Sequence, residues 1–361
     1  MANNITPQQR ALNFGAYTRQ HIQTLGSKTG EANAHIDFEV PKARLLQGVS
    51  LLVEVDAKPT KNVTYSTLNE KMELYDVLRR VSIDYNNGFS PVTASGKDIA
   101  VANMLRINPD TVVPSVVENT LCTIKGDCYA YGDGEEIAPK VNDFGYVTNE
   151  QVNYTFMLEL PLTLNDRDPA GLVLAQNGQT LININVDIND KLGDVLINNV
   201  KVTPVLTSFS VPPISDAFPD LSVLKILDSR TETISQGQNV IKLPTGMIYR
   251  KLIIYLEDEN GNPITPDKIN SNIELIFNTA DIPYSVNATA LRFRTSSQVG
   301  GELPAGYYIF DYSYQGISNL GGSRDYVDTE RLTSFEVRFT TTVSGKCKII
   351  AEKISRLIAS K

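Results

Sequence analysis

Residues 38–55 read FEVPKARLLQGVSLLVEV, and residues 241–258, IKLPTGMIYRKLIIYLED, follow the same pattern without a gap. In each stretch a short segment reaches a proline, Pro41 or Pro244, and a long apolar run follows. Almost wholly apolar runs of this length are typical of strands that are covered on both faces. The match predicts that one structural unit occurs twice in the chain.

Two later pairs of segments support the repeat, both at a shift of 153 residues. They are FMLELPLTLND (156–166) with IFDYSYQGISN (309–319), and TLININVDI (180–188) with TSFEVRFTT (333–341). The last pair places Ile184 on Val337. Repeats of solenoid proteins are only about 20–50 residues long. A repeat unit of this size is therefore predicted to be a whole domain, duplicated in tandem.

Strand signals dominate both copies. Apolar and polar residues alternate along 180–188 and again along 334–339, as expected for strands with one buried face. Turn dipeptides such as Asn260-Gly261 and Gly321-Gly322 separate the apolar segments. Many short strands with frequent turns predict an all-β chain made of two β-sandwiches.

The repeat divides the chain into four segments. They are an N-terminal arm (1–30), a first β-unit with long insertions (31–213), a second β-unit (214–352) and a basic C-terminal tail (353–361). Pro212 and Pro213 end the first copy and are the predicted domain linker.

Few helices are predicted. A capping box at Thr67–Glu70 opens one helix, and Ser95–Asp98 opens another. Residues 6–25 form a third, amphipathic helix, because apolar side chains recur at helical spacing. Its apolar stripe consists of Phe14, Tyr17, His21 or Ile22, and Leu25.

Charge is unevenly distributed along the chain, whose formal net charge is −8. Residues 1–28 contain three basic residues and no acid, and residues 346–361 contain five basic residues and one acid. These basic residues are Arg10, Arg19, Lys28, Lys346, Lys348, Lys353, Arg356 and Lys361. An acidic body with two basic ends indicates that the ends meet an anionic surface, or that they are simply solvated.

No catalytic or metal site is predicted, and no cofactor. The two histidines, His21 and His35, have no partner at metal-ligand spacing, and the three cysteines form neither a metal motif nor an even set for disulfides. Carboxylates cluster in turns, where Asp and Gly are expected in any case. These clusters are Asp133 with Glu135 and Glu136, Asp166 with Asp168, and the calcium-like loops 258–262 and 165–171. Glycosidases use two carboxylates on β-folds, but this chain has no Trp to form a sugar-binding platform.

Several of these segments resemble those of a known family. A strand that ends in Val40-Pro41 or Leu243-Pro244 before a long apolar strand is similar to the start of each half of double jelly-roll major capsid proteins. The segment YYIFDYS (307–313), the polar loop SRDYVDTERLT (323–333) and the strand SFEVRF (334–339) are similar to a later part of the same fold. Together with the basic N-terminal helix, they resemble the capsid protein of tailless, membrane-containing bacteriophages of the tectivirus kind.

The resemblance implies a fold and a function. Each half is expected to be an eight-stranded jelly roll, and three chains are expected to form a pseudo-hexagonal homotrimer that tiles an icosahedral shell. The implied role is structural and not enzymatic, in a virion capsid that is made and assembled in the host cytoplasm. The implied partners are further copies of the chain, vertex and minor capsid proteins, and an anionic inner membrane that the basic ends contact. Sequence-specific binding of nucleic acid is not implied.

Two alternatives stay open. A nucleocytoplasmic large virus or an archaeal virus can carry a protein of the same fold. From a different functional class, a carbohydrate-binding or carbohydrate-cleaving β-sandwich protein also fits the strand pattern.

The first copy is longer than the second. Phe156 follows Pro41 by 115 positions, whereas Ile309 follows Pro244 by 65, so the first copy carries 50 additional residues. The stretches around Val112-Val113 and around Tyr129 and Tyr131 are apolar beyond the needs of one sandwich. We expect this insertion to contribute to contacts between subunits of the trimer.

Overall fold

A computed structural model describes most of the chain. The described residues are 6–59, 68–86, 88–106, 115–116, 121–122, 128–129, 152–164, 170–176, 181–219, 221–313 and 326–356. Packing divides the chain into unit 1 (Met1–Met104, Asp110–Lys225 and Arg356–Lys361) and unit 2 (Leu105–Pro109 and Ile226–Ser355). The α-helices are α1 (Pro7–Tyr17), α2 (Leu68–Glu73), α3 (Gly96–Met104) and α4 (Ala288–Val299). Short 3₁₀ helices are Leu74–Val77, Ser215–Ala217 and Pro266–Lys268.

Unit 1 contains two main antiparallel sheets. Its strands are β1 (Gln20–Thr24), β2 (Lys28–Glu31), β3 (His35–Glu39), β4 (Leu45–Pro59), β5 (Leu78–Tyr85), β6 (Phe89–Ala94), β7 (Ser115–Val116), β8 (Leu121–Cys122), β9 (Cys128–Tyr129), β10 (Val152–Pro161), β11 (Val173–Leu174), β12 (Ile182–Ile188), β13 (Lys191–Leu192) and β14 (Val195–Phe209). One sheet has the order β1-β14-β4-β10-β7, and the other has the order β6-β5-β12-β3. β2 and β13 also pair with β14, β11 pairs with β4, and β8 pairs with β9.

Unit 2 repeats this arrangement. Its strands are β15 (Val223–Ile234), β16 (Gly237–Leu243), β17 (Ile248–Asp258), β18 (Asn272–Phe277), β19 (Asp281–Asn287), β20 (Tyr307–Asp311), β21 (Val327–Asp328), β22 (Phe335–Thr341) and β23 (Gly345–Arg356). The orders are β20-β17-β23-β15, with β21 beside β17, and β16-β22-β18-β19. Side chains from both sheets form one apolar core, including Leu252 and Ile254 from the first and Val337 and Phe339 from the second. The eight strands of these two four-strand orders, packed as two sheets, make this unit a jelly roll, and the short β21 is additional.

The two units correspond strand by strand. The equivalent pairs are β1/β15, β3/β16, β4/β17, β5/β18, β6/β19, β10/β20, β12/β22 and β14/β23. Ile184 lies opposite Phe38 in unit 1, and Val337 lies opposite Ile241 in unit 2. These registers reproduce both sequence shifts, 203 residues for the first segment and 153 for the last. The prediction of an all-β chain built from two jelly rolls is confirmed.

One of the predicted alignments is wrong by three residues. Leu158 lies opposite Leu51, and the residue equivalent to Leu51, Ile254, lies opposite Tyr308. The shift between β10 and β20 is therefore 150 residues and not 153. Tyr307 to Phe310 are all buried. The run therefore has no alternation of apolar and polar residues from which its register could be predicted.

A β-bulge occurs at the same place in both units. Gln47 is the extra residue of β4 against β14, and Arg250 is the extra residue of β17 against β23. The carbonyl oxygen of Gln47 accepts a hydrogen bond from the Leu162 amide at 2.9 Å, and that of Arg250 accepts one from the Tyr312 amide at 3.0 Å. Bulges bend a strand at a defined point, so the duplicated units share a detail of curvature as well as topology.

Each unit also has a helix directly after its β6-type strand. α3 begins at the predicted capping box, where the Asp98 amide donates to the Ser95 hydroxyl at 3.3 Å. α4 was not predicted from the sequence. Its N-cap is Asn287, whose side-chain oxygen accepts from the amides of Thr289 and Ala290. An Asn without a Glu or Gln three residues later gives a weaker signal than a capping box.

The N-terminal helix is shorter than predicted. α1 begins after Thr6, which forms a capping box with Gln9, and it ends at Tyr17. The hydroxyl of Thr18 donates to the Phe14 carbonyl at 2.6 Å. Residues 20–24 then form β1, which pairs with β14 in the sheet of unit 1. The helix prediction is right for 7–17 and wrong beyond, because pairing with a neighbouring strand overrides a helical apolar spacing.

The segment that follows the predicted linker, Pro212-Pro213, is packed and not extended in solvent. Ala217, in the 3₁₀ helix that α1 contacts, is fully buried. Leu221 packs against a small core cluster that contains Phe14 and Leu45. By packing, the boundary between the two units falls between Lys225 and Ile226, whereas the sequence predicts it after Pro213. The boundaries 1–30, 31–213, 214–352 and 353–361 stay predictions.

Candidate functional surfaces

The carboxylate clusters considered for catalysis lie outside the described residues. They are Asp133, Glu135, Glu136, Asp166 and Asp168. The apolar stretches of the insertion that contain Tyr131 and Val112-Val113 also lie outside the described residues. Among the residues that the structure describes, no three His, Cys, Asp or Glu side chains are grouped so as to hold a metal ion. None of the described helices has both the length and the apolar character needed to cross a membrane.

Two residues that could be reactive, Cys347 and Asp258, lie in environments that indicate a structural role. Cys347 is buried in the core of unit 2, and burial raises the pKa of its thiol, which disfavours the reactive thiolate. Asp258 begins the calcium-like loop 258–262. Its Oδ1 accepts hydrogen bonds from the amides of Asn260 and Asn262, both at 2.9 Å, and these bonds lower the pKa of the carboxyl group. Its carboxylate oxygens thus hold the hairpin turn together.

The N-terminal basic residues differ in their surroundings. Arg10 on α1 and Arg19 before β1 are both exposed. Lys28 lies on β2, where its ammonium group donates to the Asp37 carbonyl at 2.5 Å and lies 5.3 Å from the centre of the Phe38 ring. Arg10 and Arg19 are therefore better placed than Lys28 to meet an anionic surface.

Lys346 belongs to an ion pair that both units contain. Lys201 pairs with Glu54 across β14 and β4 at 2.7 Å, and Lys346 pairs with Glu257 at the equivalent place across β23 and β17 at 3.8 Å. Cross-strand pairs of opposite charge stabilise sheets. Lys346 is thus part of the repeated architecture. Its neighbour Lys348, also on β23, is half-buried.

Lys353 does not belong with the surface residues. Its side chain is only 4 % exposed, and its ammonium nitrogen lies 2.6 Å from Asp228 and 5.9 Å from the centre of the Tyr249 ring. A buried, paired ammonium group cannot contact a lipid headgroup, so the sequence-based assignment of Lys353 to that role is corrected here. Arg356 is the last residue of β23, and Lys361 lies outside the described residues.

Lys353 is one member of a group of charged side chains inside unit 2. Lys251 and Asp311 are each 6 % exposed, with 3.6 Å between the ammonium nitrogen and the nearer carboxylate oxygen. Arg250, the bulge residue, lies 3.3 Å from Glu352. The equivalent residues of unit 1 include Gln47, Gly48, Thr207 and Ser208, which are uncharged. Sequence reasoning missed this group, although charged residues inside the apolar runs 248–258 and 307–312 were a signal for buried pairing.

Large apolar side chains are exposed at several places. They are Leu12, Tyr17, Ile22, Phe89, Met157, Leu196, Ile214, Val240, Ile282 and Phe293. Most are isolated along the sequence, as is normal for protein surfaces. Leu12, Tyr17 and Ile22 are the exception, because all three lie in one stretch of eleven residues that runs from α1 into β1.

Comparison by sequence finds no relative. No family model matches the chain, and no curated protein matches it.

Comparison by structure finds viral capsid proteins. The STIV MCP superposes with a TM-score of 0.68 at 14 % identity, over 94 % of this chain and 97 % of that chain. The Faustovirus major capsid protein gives 0.58 at 11 % identity, over 95 % and 91 %. The major capsid protein P2 from Bacteriophage PM2 gives 0.54 at 10 % identity, over 94 % and 98 %. Because these viruses differ, the similarity does not single out the tectivirus kind.

These superpositions cover nearly the whole of every chain compared, so both units and their order along the sequence are shared. Nothing in the comparisons supports the carbohydrate-binding alternative. Identities of this size establish the fold alone. The chain has the double jelly-roll fold, which it shares with these major capsid proteins.

Proposed function

We propose that this chain is a major capsid protein, a structural subunit without catalytic activity that forms pseudo-hexagonal homotrimers. The observation that carries the proposal is the duplication, with the same strand order, the same bulge at Gln47 and Arg250, and the same cross-strand ion pair in both units. Three copies of a chain with two similar units present six similar units around an axis. Such an object packs in a hexagonal layer, and copies of it tile the faces of an icosahedral shell.

The oligomeric state tests this function directly. Purified chain is expected to elute as a homotrimer in size-exclusion chromatography with light scattering, and negative-stain images are expected to show a six-lobed outline. A monomer at micromolar concentration would refute the proposal, since a capsid building block requires a large interface, well above the roughly 1,600 Å² of a standard one. A glycan array serves as a control for the carbohydrate-binding alternative, for which specific binding would be decisive.

We further propose that the shell encloses a membrane and that the N-terminal basic residues face it. Arg10 and Arg19 support this, because both are exposed, Arg10 on α1 and Arg19 in the connection between α1 and β1. A basic residue near an anionic surface contributes roughly 1 kcal/mol, and many copies in a shell add to a strong attachment. The C-terminal Arg356 and Lys361 are proposed to share this role. Vertex and minor capsid proteins complete the shell, which assembles in the host cytoplasm.

Charge reversal tests the membrane contact better than truncation, because deleting residues 1–28 would also remove β1. The variant Arg10→Glu/Arg19→Glu is expected to lose most of its co-sedimentation with phosphatidylserine vesicles at low salt. The matched control is Lys242→Glu/Arg294→Glu, which changes the net charge equally at two exposed positions of unit 2. Equal loss of binding in both variants, or no loss in the first, would contradict an N-terminal contact with lipid.

A further inference from the structure

The strand β1 lies at the end of its sheet. It pairs with β14 on one side, and among the described residues no strand pairs with its other side. The Arg19 carbonyl accepts from the Ser210 amide at 3.0 Å, and the Leu25 amide donates to the Pro204 carbonyl at 2.8 Å. Bonding residues alternate in an antiparallel pair. The amides and carbonyls of residues 20, 22 and 24 therefore point away from β14.

Side chains on this edge are open as well. Ile22 is 70 % exposed and Tyr17 is 52 % exposed, and Leu12 on α1 is 74 % exposed. Every residue of β1 except His21 is exposed. An open strand edge beside exposed apolar side chains is a surface that natural proteins keep covered, since it pairs readily with another strand.

The strand of unit 2 that is equivalent to β1 has buried side chains. β15 occupies in unit 2 the place that β1 occupies in unit 1, next to the long final strand of the jelly roll. Its residues Leu224, Ile226 and Leu227 are each less than 9 % exposed. Apolar side chains at the equivalent strand are thus buried in β15, whereas Ile22 of β1 is exposed.

We propose that a strand from a second copy of this chain pairs with the outer edge of β1 and buries Ile22. The inference rests on the proposed homotrimer and identifies one of its contact surfaces. Addition of a strand satisfies the free backbone groups of residues 20, 22 and 24 by hydrogen bonds, while Ile22 supplies apolar contact. A lipid surface is the poorer occupant, because hydrocarbon offers no partner for backbone amides and carbonyls.

The test is the variant Ile22→Pro. Proline removes the outward-pointing amide of residue 22, whereas β14 bonds to the neighbouring residues, so an edge strand tolerates this change. The protein concentration at which half of the trimer dissociates is expected to be at least about tenfold higher than for wild type. This change corresponds to the loss of about one hydrogen bond and its packing. Ile22→Val is the matched control, because it keeps the amide and most of the apolar surface, and it is expected to leave the trimer intact.

Residue-resolved hydrogen exchange gives a second readout that does not depend on a variant. In the wild-type trimer the amides of Gln20, Ile22 and Thr24 are expected to be protected at least tenfold over an open strand, and that protection is expected to fall on dilution to monomer. Far-UV circular dichroism verifies that Ile22→Pro is folded. A trimer whose three amides exchange as in an open strand, or an Ile22→Pro trimer as stable as wild type, overturns this inference while the proposed function stands. A monomeric wild-type chain overturns both.

Discussion

Replacing Lys251 by Met is expected to lower the free energy of unfolding of unit 2 by about 3–5 kcal/mol. Lys251 and Asp311 are almost completely buried on neighbouring strands. The variant leaves the Asp311 carboxylate buried, and among the described residues it then accepts hydrogen bonds from the Ser313 amide and hydroxyl, at 3.0 and 2.6 Å. Urea unfolding followed by circular dichroism measures the loss as a lower midpoint for the transition of unit 2.

Two controls separate burial from the mere presence of an ion pair. Lys201→Met breaks the pair with Glu54, which is closer at 2.7 Å but whose side chains are 47 % and 33 % exposed, so a loss under about 1 kcal/mol is expected. The double variant Lys251→Met/Asp311→Leu removes both buried charges and is expected to recover most of the stability. Equal losses of unfolding free energy in Lys251→Met and Lys201→Met would show that burial does not make the pair in unit 2 more important for stability.

Replacing Phe335 by Ala is expected to cost about 3–5 kcal/mol, since a large side chain leaves a cavity in the core. The Phe335 ring is 1 % exposed, and its centre lies 5.0 Å from that of Tyr249 and 5.2 Å from that of Phe277. The contact with Tyr249 joins the two sheets of unit 2, and the contact with Phe277 lies within one of them. Scanning calorimetry is expected to show a lower melting temperature for the transition of this unit.

Phe293→Ala is the matched control for this variant. It removes the same phenyl ring from α4, where the side chain is 73 % exposed, and a change within about 0.5 kcal/mol is expected. If Phe335→Ala were as stable as Phe293→Ala, the core of unit 2 would have to be packed differently from the structure described.

The sequence was sufficient to predict the architecture because both copies of the repeat have the same pattern of apolar residues. A proline before a long apolar run, at Pro41 and Pro244, marks the point where the chain passes from one sheet to the other in both units. Alternation along 182–188 and 335–341 fixed which side chains enter the core, and Ile184 and Val337 are both fully buried. Strand order followed from the resemblance, since periodicity alone does not tell which strands are neighbours.

The sequence was least reliable where local and non-local forces compete. Residues 18–25 have helical apolar spacing, but the edge of β14 offers them a ladder of hydrogen bonds, and Gln20–Thr24 became a strand. The short repeat at 307–312 has no polar residue in its first four positions, so its register was set by pairing with β17 and not by any pattern of its own.

By itself the sequence determined the duplication, the β-class and the basic ends, because composition and periodicity depend on each residue's own side chain. Only the tertiary structure decided what those side chains meet. Lys353 and Arg10 are both basic residues near a terminus, yet one is buried against Asp228 and the other is exposed on α1. The physical reason is that burial, ion pairing and the openness of a strand edge are properties of neighbours brought together from distant parts of the chain.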